Sequence, residues 1–164
     1  VQIENSSVIV IGAGGAGRSV VDALSRHGCK QVVVAKRSLD GAEFAVGLAP
    51  IGSRAISLSD EPALRRATQE CDLIIHATSM GMGETGSESV LPMPMDMLQQ
   101  RHIVVDLVYH PLNTALLRAA DEKGCQIVNG LGMLVHQAAL QQEIWTGHLP
   151  DIQEMLSAAS QALS

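Results

Sequence analysis

The chain has 164 residues, 46% of them hydrophobic, and 11 basic against 17 acidic side chains give a net charge of −6. That length fits one domain with a sizeable core; Phe44, Tyr109 and Trp145 are the only aromatics, so the core must be aliphatic. An acidic balance with no basic stripe interleaved with aromatics argues against nucleic acid as a partner, and no long apolar span argues for a membrane.

Cys29, Cys71 and Cys125 are odd in number and outside any C-x-x-C, so neither a disulfide framework nor a zinc knuckle is supported, and a reducing cytoplasm is the expected compartment. The chain opens on Val1 directly ahead of its first apolar run, with no signal peptide, and reads as a piece of a longer protein.

Taken in chain order, apolar β-branched runs predict strands at Val8 to Ile11, Gln31 to Ala35, Arg54 to Ser57, Asp72 to Ala77, Ile103 to Val108 and Gln126 to Val128. Amphipathic segments lie between them, the first with Ala16, Val20, Leu24 and His27 on one face and Gly28 as its stop. This β-α-β repetition predicts a single α/β domain: a doubly wound, Rossmann-like parallel sheet in a three-layer α/β/α arrangement. The stretch GMGETGSESVLPMPM, residues 81–95, reads as a long surface loop of the kind that serves a site.

Gly12, Gly14 and Gly17 fit G-x-G-x-x-G between the first strand and its helix. The first glycine allows the turn, the second lets a pyrophosphate approach the backbone, and the third lets helix and strand pack closely. The alternative is a tight strand-to-helix turn without a ligand. At the end of the second strand, where an acidic residue would serve the ribose hydroxyls of NAD or of a methyl donor, the chain carries Lys36, Arg37 and Ser38. A guanidinium grips a 2′-phosphate and a carboxylate repels one, so NADP is favoured over NAD. A solvated basic pair on a surface turn is the alternative.

Further polar residues fall at the carboxyl ends of predicted strands: His76, Thr78 and Ser79, then Asp106 and Tyr109, then Asn129 and Gly130. Open parallel sheets bind ligands at that edge, although Thr78 alone suits a cap and Asn129–Gly130 a turn. In the last long helix Met133, Gln137, Leu140 and Ile144 share a face. Gln137 is then either a hydrogen-bonded core amide or a group pointing into a ligand cleft, and Met133 suits core filling. The segment PDIQEMLSAASQAL, from residue 150, opens with an Asp151/Glu154 capping box and aligns Ile152, Met155, Leu156, Ala159 and Leu163.

GAGGAG at 12–17, KRS at 36–38, ATSMGM at 77–82, DLVYHP at 106–111 and GLGMLVHQAALQQEIWTG at 130–147 resemble, in order and spacing, the nucleotide-binding domain of shikimate dehydrogenases. The resemblance covers nearly the whole chain, and its last motif is the most specific. It implies that residues 1–164 are the NADP-binding domain of an oxidoreductase interconverting 3-dehydroshikimate and shikimate in aromatic amino-acid biosynthesis. By the same likeness Gly12, Ala13, Gly14, Gly15, Ala16 and Gly17 hold the diphosphate. Arg37 and Ser38 take the adenosine 2′-phosphate, with Lys36 adding a positive charge beside them, and Thr78, Ser79, Met80, Val108, Gly130 and Met133 border the rest of the cofactor. Tyr109 and Gln137 reach the cyclohexene substrate.

Lys36 and His76 stand where the family usually has Asn. The family's acid/base Lys and its Asp belong to an amino-terminal substrate domain absent from these residues, so no catalytic residue is assigned here and the isolated chain is expected to bind without turnover. Helix 151–163 is expected to pack toward that domain, or its apolar stripe to be covered by a second copy as a homo-oligomer. A stand-alone NADP-binding or sensing module and a quinate-using relative are the alternatives. A methyltransferase on the same sheet is disfavoured by the basic end of the second strand.

Overall fold

The computed structural model describes residues 2–83 and 90–163. Six strands, β1 (Ser7–Ile11), β2 (Gln31–Lys36), β3 (Arg54–Ser57), β4 (Leu73–His76), β5 (Ile103–Asp106) and β6 (Gln126–Val128), form one sheet. Its order is β3-β2-β1-β4-β5-β6, and every neighbouring pair is parallel. The chain leaves β1 toward β3, then returns across it to β4 and continues to β6. Strand order therefore reverses beside β1, where open α/β sheets form their ligand crevice.

Helices α1 (Gly15–Arg26), α2 (Ala42–Val46), α3 (Glu61–Glu70) and α4 (Ala115–Glu122) cover the two faces, followed by α5 (Leu131–Thr146) and α6 (Ile152–Ala162). The period-2 side-chain alternation of the strands feeds a separate core on each face. Ile9, Ile11, Val33, Ile74 and Val104 pack with Leu64 of α3 and with Leu116 and Leu117 of α4. Val8, Val10, Val32, Val34, Leu73 and Ile75 pack with Val21 and Leu24 of α1 and Ala45 of α2. All five residues of β1 are buried, whereas none of β6 at the sheet edge is.

All six predicted strands are present, with shifted ends that have local causes. β5 stops at Asp106 instead of Val108 because the Asp106 carboxylate accepts the Val108 N–H (3.0 Å) and turns the chain. β4 begins after Asp72, whose side chain accepts the Ser7 N–H (2.9 Å). Helix α1 buries Gly17, Val21 and Leu24, so the expected face of Ala16, Val20, Leu24 and His27 is rotated by about one residue. The close approach of Gly17 to the turn before the helix sets that rotation. Gly28, at φ +75°, ends the helix as expected.

Of the stretch read as a surface loop, residues 84–89 lie outside the described residues, and its last part is not surface. Met93 is buried, as are Met97 and Leu98 around a 3-10 turn at Met95–Met97. These side chains seal the lower end of the core between α3 and α4. The expected stripe of α5 is also corrected. The buried residues are Val135 and Ala139; Leu140 and Ile144 are 56% and 80% exposed, and Met133 is half-buried instead of core. Helix α6 packs against α5. Its predicted stripe, Ile152, Met155, Leu156, Ala159 and Leu163, is half-buried, and the Asp151 carboxylate accepts from the Gln153 (2.7 Å) and Glu154 (3.1 Å) N–H groups.

Candidate functional site

The turn after β1 is built from backbone that excludes side chains. Gly12 sits at φ +110°, a conformation suited to glycine, and a Cβ there would lie 2.8 Å from the Ala77 carbonyl oxygen. A Cβ on Gly17 would lie 2.2 Å from the Gly12 carbonyl oxygen, so the first turn of α1 rests directly on the loop. Gly14 and Gly15 differ: a Cβ on either meets no protein atom within 4 Å. Gly14 caps α1 without a side-chain hydrogen bond, and the first turn carries no acidic residue. Free N–H groups and the positive end of the helix dipole thus face open space.

At the end of β2 the three polar side chains differ in their commitments. The Lys36 ammonium donates to the Asp40 carbonyl, and the Ser38 hydroxyl donates to Asp40 Oδ2 (2.7 Å). The exposed Arg37 guanidinium enters no ion pair among the described residues. Asp40 was not singled out from sequence; the only signal was a Ser-x-Asp spacing of the kind that closes small turns.

Register brings Ile11, His76 and Asp106 side by side at the carboxyl edge. His76 Nδ1 lies 2.9 Å from Asp106 Oδ1, and Nε2 lies 2.5 Å from the Thr78 hydroxyl. Asp106 Oδ2 accepts from the Thr114 hydroxyl (2.6 Å). Thr78 is thus no helix cap, and His76, the last residue of β4, makes two ring contacts, one to each side. The other reading of Asn129 holds in part: its side chain accepts from the Leu131 N–H (3.3 Å), a local turn at the start of α5.

These segments enclose a cavity of about 940 Å³, lined by Ile11 to Gly14, Lys36 to Ser38, Leu58 and Ala77 to Met80. Of the candidate residues, Gly12, Ala13, Gly14, Lys36, Arg37, Ser38, Thr78, Ser79 and Met80 therefore converge. Gly15, Ala16 and Gly17 form the first turn of α1 beside it. Val108, Tyr109, Gly130, Met133 and Gln137 are not in the lining. A Cβ on Gly130 would lie 2.4 Å from the Leu107 carbonyl oxygen, which seats the start of α5 against the end of β5. Val108 is buried, Tyr109 and Met133 are half-buried, and Gln137 is exposed, which removes the core-amide reading of that residue.

Among the described residues no cluster of three or more His, Cys, Asp or Glu side chains could hold a metal ion, and no helix is long and apolar enough to cross a membrane. The three cysteines are free and buried; burial pushes the Cys71 thiol up to about 12, so it is protonated at neutral pH.

Residues 1–113 match the family described as shikimate / quinate 5-dehydrogenase, and residues 130–159 match the shikimate 5′-dehydrogenase C-terminal domain. The chain is similar to the NADP(+) shikimate dehydrogenase of Pyrococcus furiosus, 37% identical over 158 residues that cover 96% of this chain and 54% of that protein. The Bacillus subtilis enzyme of the same name is 36% identical, covering 94% and 54%. Among solved structures, the Listeria monocytogenes shikimate 5-dehydrogenase in complex with shikimate and NAD superimposes with a TM-score of 0.86 at 30% identity, covering 95% of this chain and 56% of that one. The Thermus thermophilus enzyme in complex with NADP(H) and shikimate gives 0.79 at 37% identity, covering 99% and 57%. The chain spans about half the length of the curated relatives it matches.

Proposed function

The chain belongs to the shikimate / quinate 5-dehydrogenase family, and on that premise we propose that it is the NADP-binding half of a cytoplasmic oxidoreductase that interconverts 3-dehydroshikimate and shikimate. The observation that carries the reading is the convergence, in one cavity, of a side-chain-free helix N-terminus with an uncommitted guanidinium. A dinucleotide phosphate needs both: unpaired backbone N–H groups for the diphosphate, and a cation that an adenosine 2′-phosphate can claim. The fit is specific at Gly14, where a side chain would occupy the space the diphosphate requires without touching any protein atom.

When bound, the nicotinamide supplies hydride chemistry; this chain supplies binding and orientation. Gly12 to Gly17 hold the diphosphate, Arg37 the 2′-phosphate, and Thr78 to Met80 wall the opposite side. The seating of Gly130 against Leu107 and Val108 orders the segment that carries Tyr109, which we assign with Gln137 to the substrate side. We place the acid/base pair in an amino-terminal substrate domain, so these residues alone bind without turnover. The exposed apolar side of α5, with Leu140, Ile144 and Trp145, supports docking to that domain or to a second copy.

The test is calorimetric titration of the chain with NADP⁺ and NAD⁺, repeated on Arg37→Ala. NADP⁺ binds more tightly, and the variant loses roughly 10- to 150-fold in NADP⁺ affinity while NAD⁺ is unaffected, as expected for one charged hydrogen-bonding contact. Equal losses for both nucleotides would remove Arg37 from the 2′-phosphate.

A further inference from the structure

A run of buried hydrogen bonds passes under the floor of the cavity and joins segments far apart in sequence. Asp106, with a side chain 1% exposed, is held by three donors. Its Oδ1 accepts from the Val108 N–H (3.0 Å) and faces His76 Nδ1 (2.9 Å), while Oδ2 accepts from the Thr114 hydroxyl (2.6 Å). A carboxylate in that position dictates the tautomer: Nδ1 carries the proton and donates it, leaving the Nε2 lone pair as acceptor. The Thr78 hydroxyl, 2.5 Å away, donates to Nε2, and its oxygen accepts from the Met80 N–H (3.2 Å). Every polar atom of the run has a partner, so none is free to reorient without orphaning another.

We propose that His76 is a positioning residue of the coenzyme pocket: its ring transmits the fixed position of Asp106 to the Thr78 hydroxyl, and Thr78, His76 and Asp106 set the 77–80 wall as one unit. Thr78 holds the wall because bonds from both sides fix its side chain, with the methyl turned to the glycine loop. A Cβ on Gly12 would meet that methyl at 2.8 Å, so the methyl covers the turn where the diphosphate enters. The same carboxylate also fixes residues 107–114, which carry Tyr109 and His110. The His110 carbonyl accepts from the Gly83 N–H (3.0 Å), closing a second link between the two segments. His76 joins the two halves of the run, with Thr78 of the loop after β4 on one ring nitrogen and Asp106 at the end of β5 on the other, its backbone lying on β4 in register with Asp106.

The inference rests on the coenzyme reading above, and the experiment separates the two. Wild type, Thr78→Val, Thr78→Ser, His76→Phe and the Thr78→Val/His76→Phe double variant are titrated with NADP⁺, and the histidine ring nitrogens of wild type are assigned by NMR. The spectrum shows His76 protonated at Nδ1 and bare at Nε2. Thr78→Val and His76→Phe each weaken NADP⁺ binding by about tenfold, the double variant is no more than about twofold worse than either, and Thr78→Ser recovers most of the loss. Additive losses, no loss in Thr78→Val, or a proton on Nε2 would overturn the unit while leaving the coenzyme reading intact. A wild-type chain that binds neither NADP⁺ nor NAD⁺ overturns the coenzyme reading itself, and the inference with it. Should His76→Phe fail to fold, the Thr78→Val and Thr78→Ser pair with the ring tautomer still decides the matter.

Discussion

The centre of the sheet and the α5–α6 pair both carry apolar side chains and use them in opposite ways. Every residue of β1 and of β4 is buried, because strands between parallel neighbours are covered on both faces. Helix α5 spans 16 residues yet buries only Val135 and Ala139, and Ile144 and Trp145 are 80% and 78% exposed. Apolar content is thus no measure of what holds this fold together; the stabilising share is what two layers close over. The exposed share is free for recognition.

The contrast is broken or sharpened by two substitutions. The largest effect belongs to the sheet centre: Ile74→Ala, at a side chain with 0% exposure, destabilises the chain by about 2–5 kcal/mol in urea denaturation. Ile144→Ala on α5 stays within about 0.5 kcal/mol in the same assay. Comparable losses at both positions would show that α5 is closed over in solution.

The glycine turn gives an intermediate case. Gly17→Ala drives a methyl into the Gly12 carbonyl and costs about 1–3 kcal/mol of stability, as overpacking does. Gly14→Ala meets no protein atom; it costs less than about 1 kcal/mol at a helix N-cap and shows its effect in NADP⁺ titration instead. Two glycines three residues apart then separate into one that serves packing and one that serves the ligand.

The smallest effect is in pH dependence. His102 is fully buried, with Nδ1 accepting from the Gln99 N–H (3.1 Å) and Nε2 donating to the Thr68 carbonyl (3.0 Å). Burial, reinforced by the Arg101 charge, holds its pKa below the usual 6.5. The unfolded chain therefore takes up the proton first as pH falls below about 6.5; the contribution is complete above that value and lost below it. Stability declines as the pH falls below about 6.5, and His102→Gln shows a shallower decline. An identical slope in the variant would assign the acid sensitivity elsewhere.

Much of the fold was legible because apolar β-branched runs announce parallel strands, and the glycine spacing between a strand and a helix announces the turn. Faces were harder to read. α1 is rotated because Gly17 must touch Gly12, a contact across the turn that helical spacing alone does not encode. α5 is apolar around much of its circumference, so periodicity pointed to Leu140 and Ile144 although Val135 and Ala139 are the ones covered. Met93 fell in the stretch read as a surface loop, beside glycines and prolines, yet with Met97 and Leu98 it closes the core.

By itself the sequence determined the α/β class, the strand set, the phosphate-type turn at Gly12 to Gly17 and the basic end of β2, because each depends on residues within one turn or one strand. Only the tertiary structure decided which of those residues share a cavity, that Ser38 is committed to Asp40 while Arg37 is not, and that His76 meets Asp106. The last two are 30 residues apart and adjacent only through the register of β4 on β5. Pairing between strands is a long-range choice made by burial on both sheet faces, and a linear pattern carries no record of it.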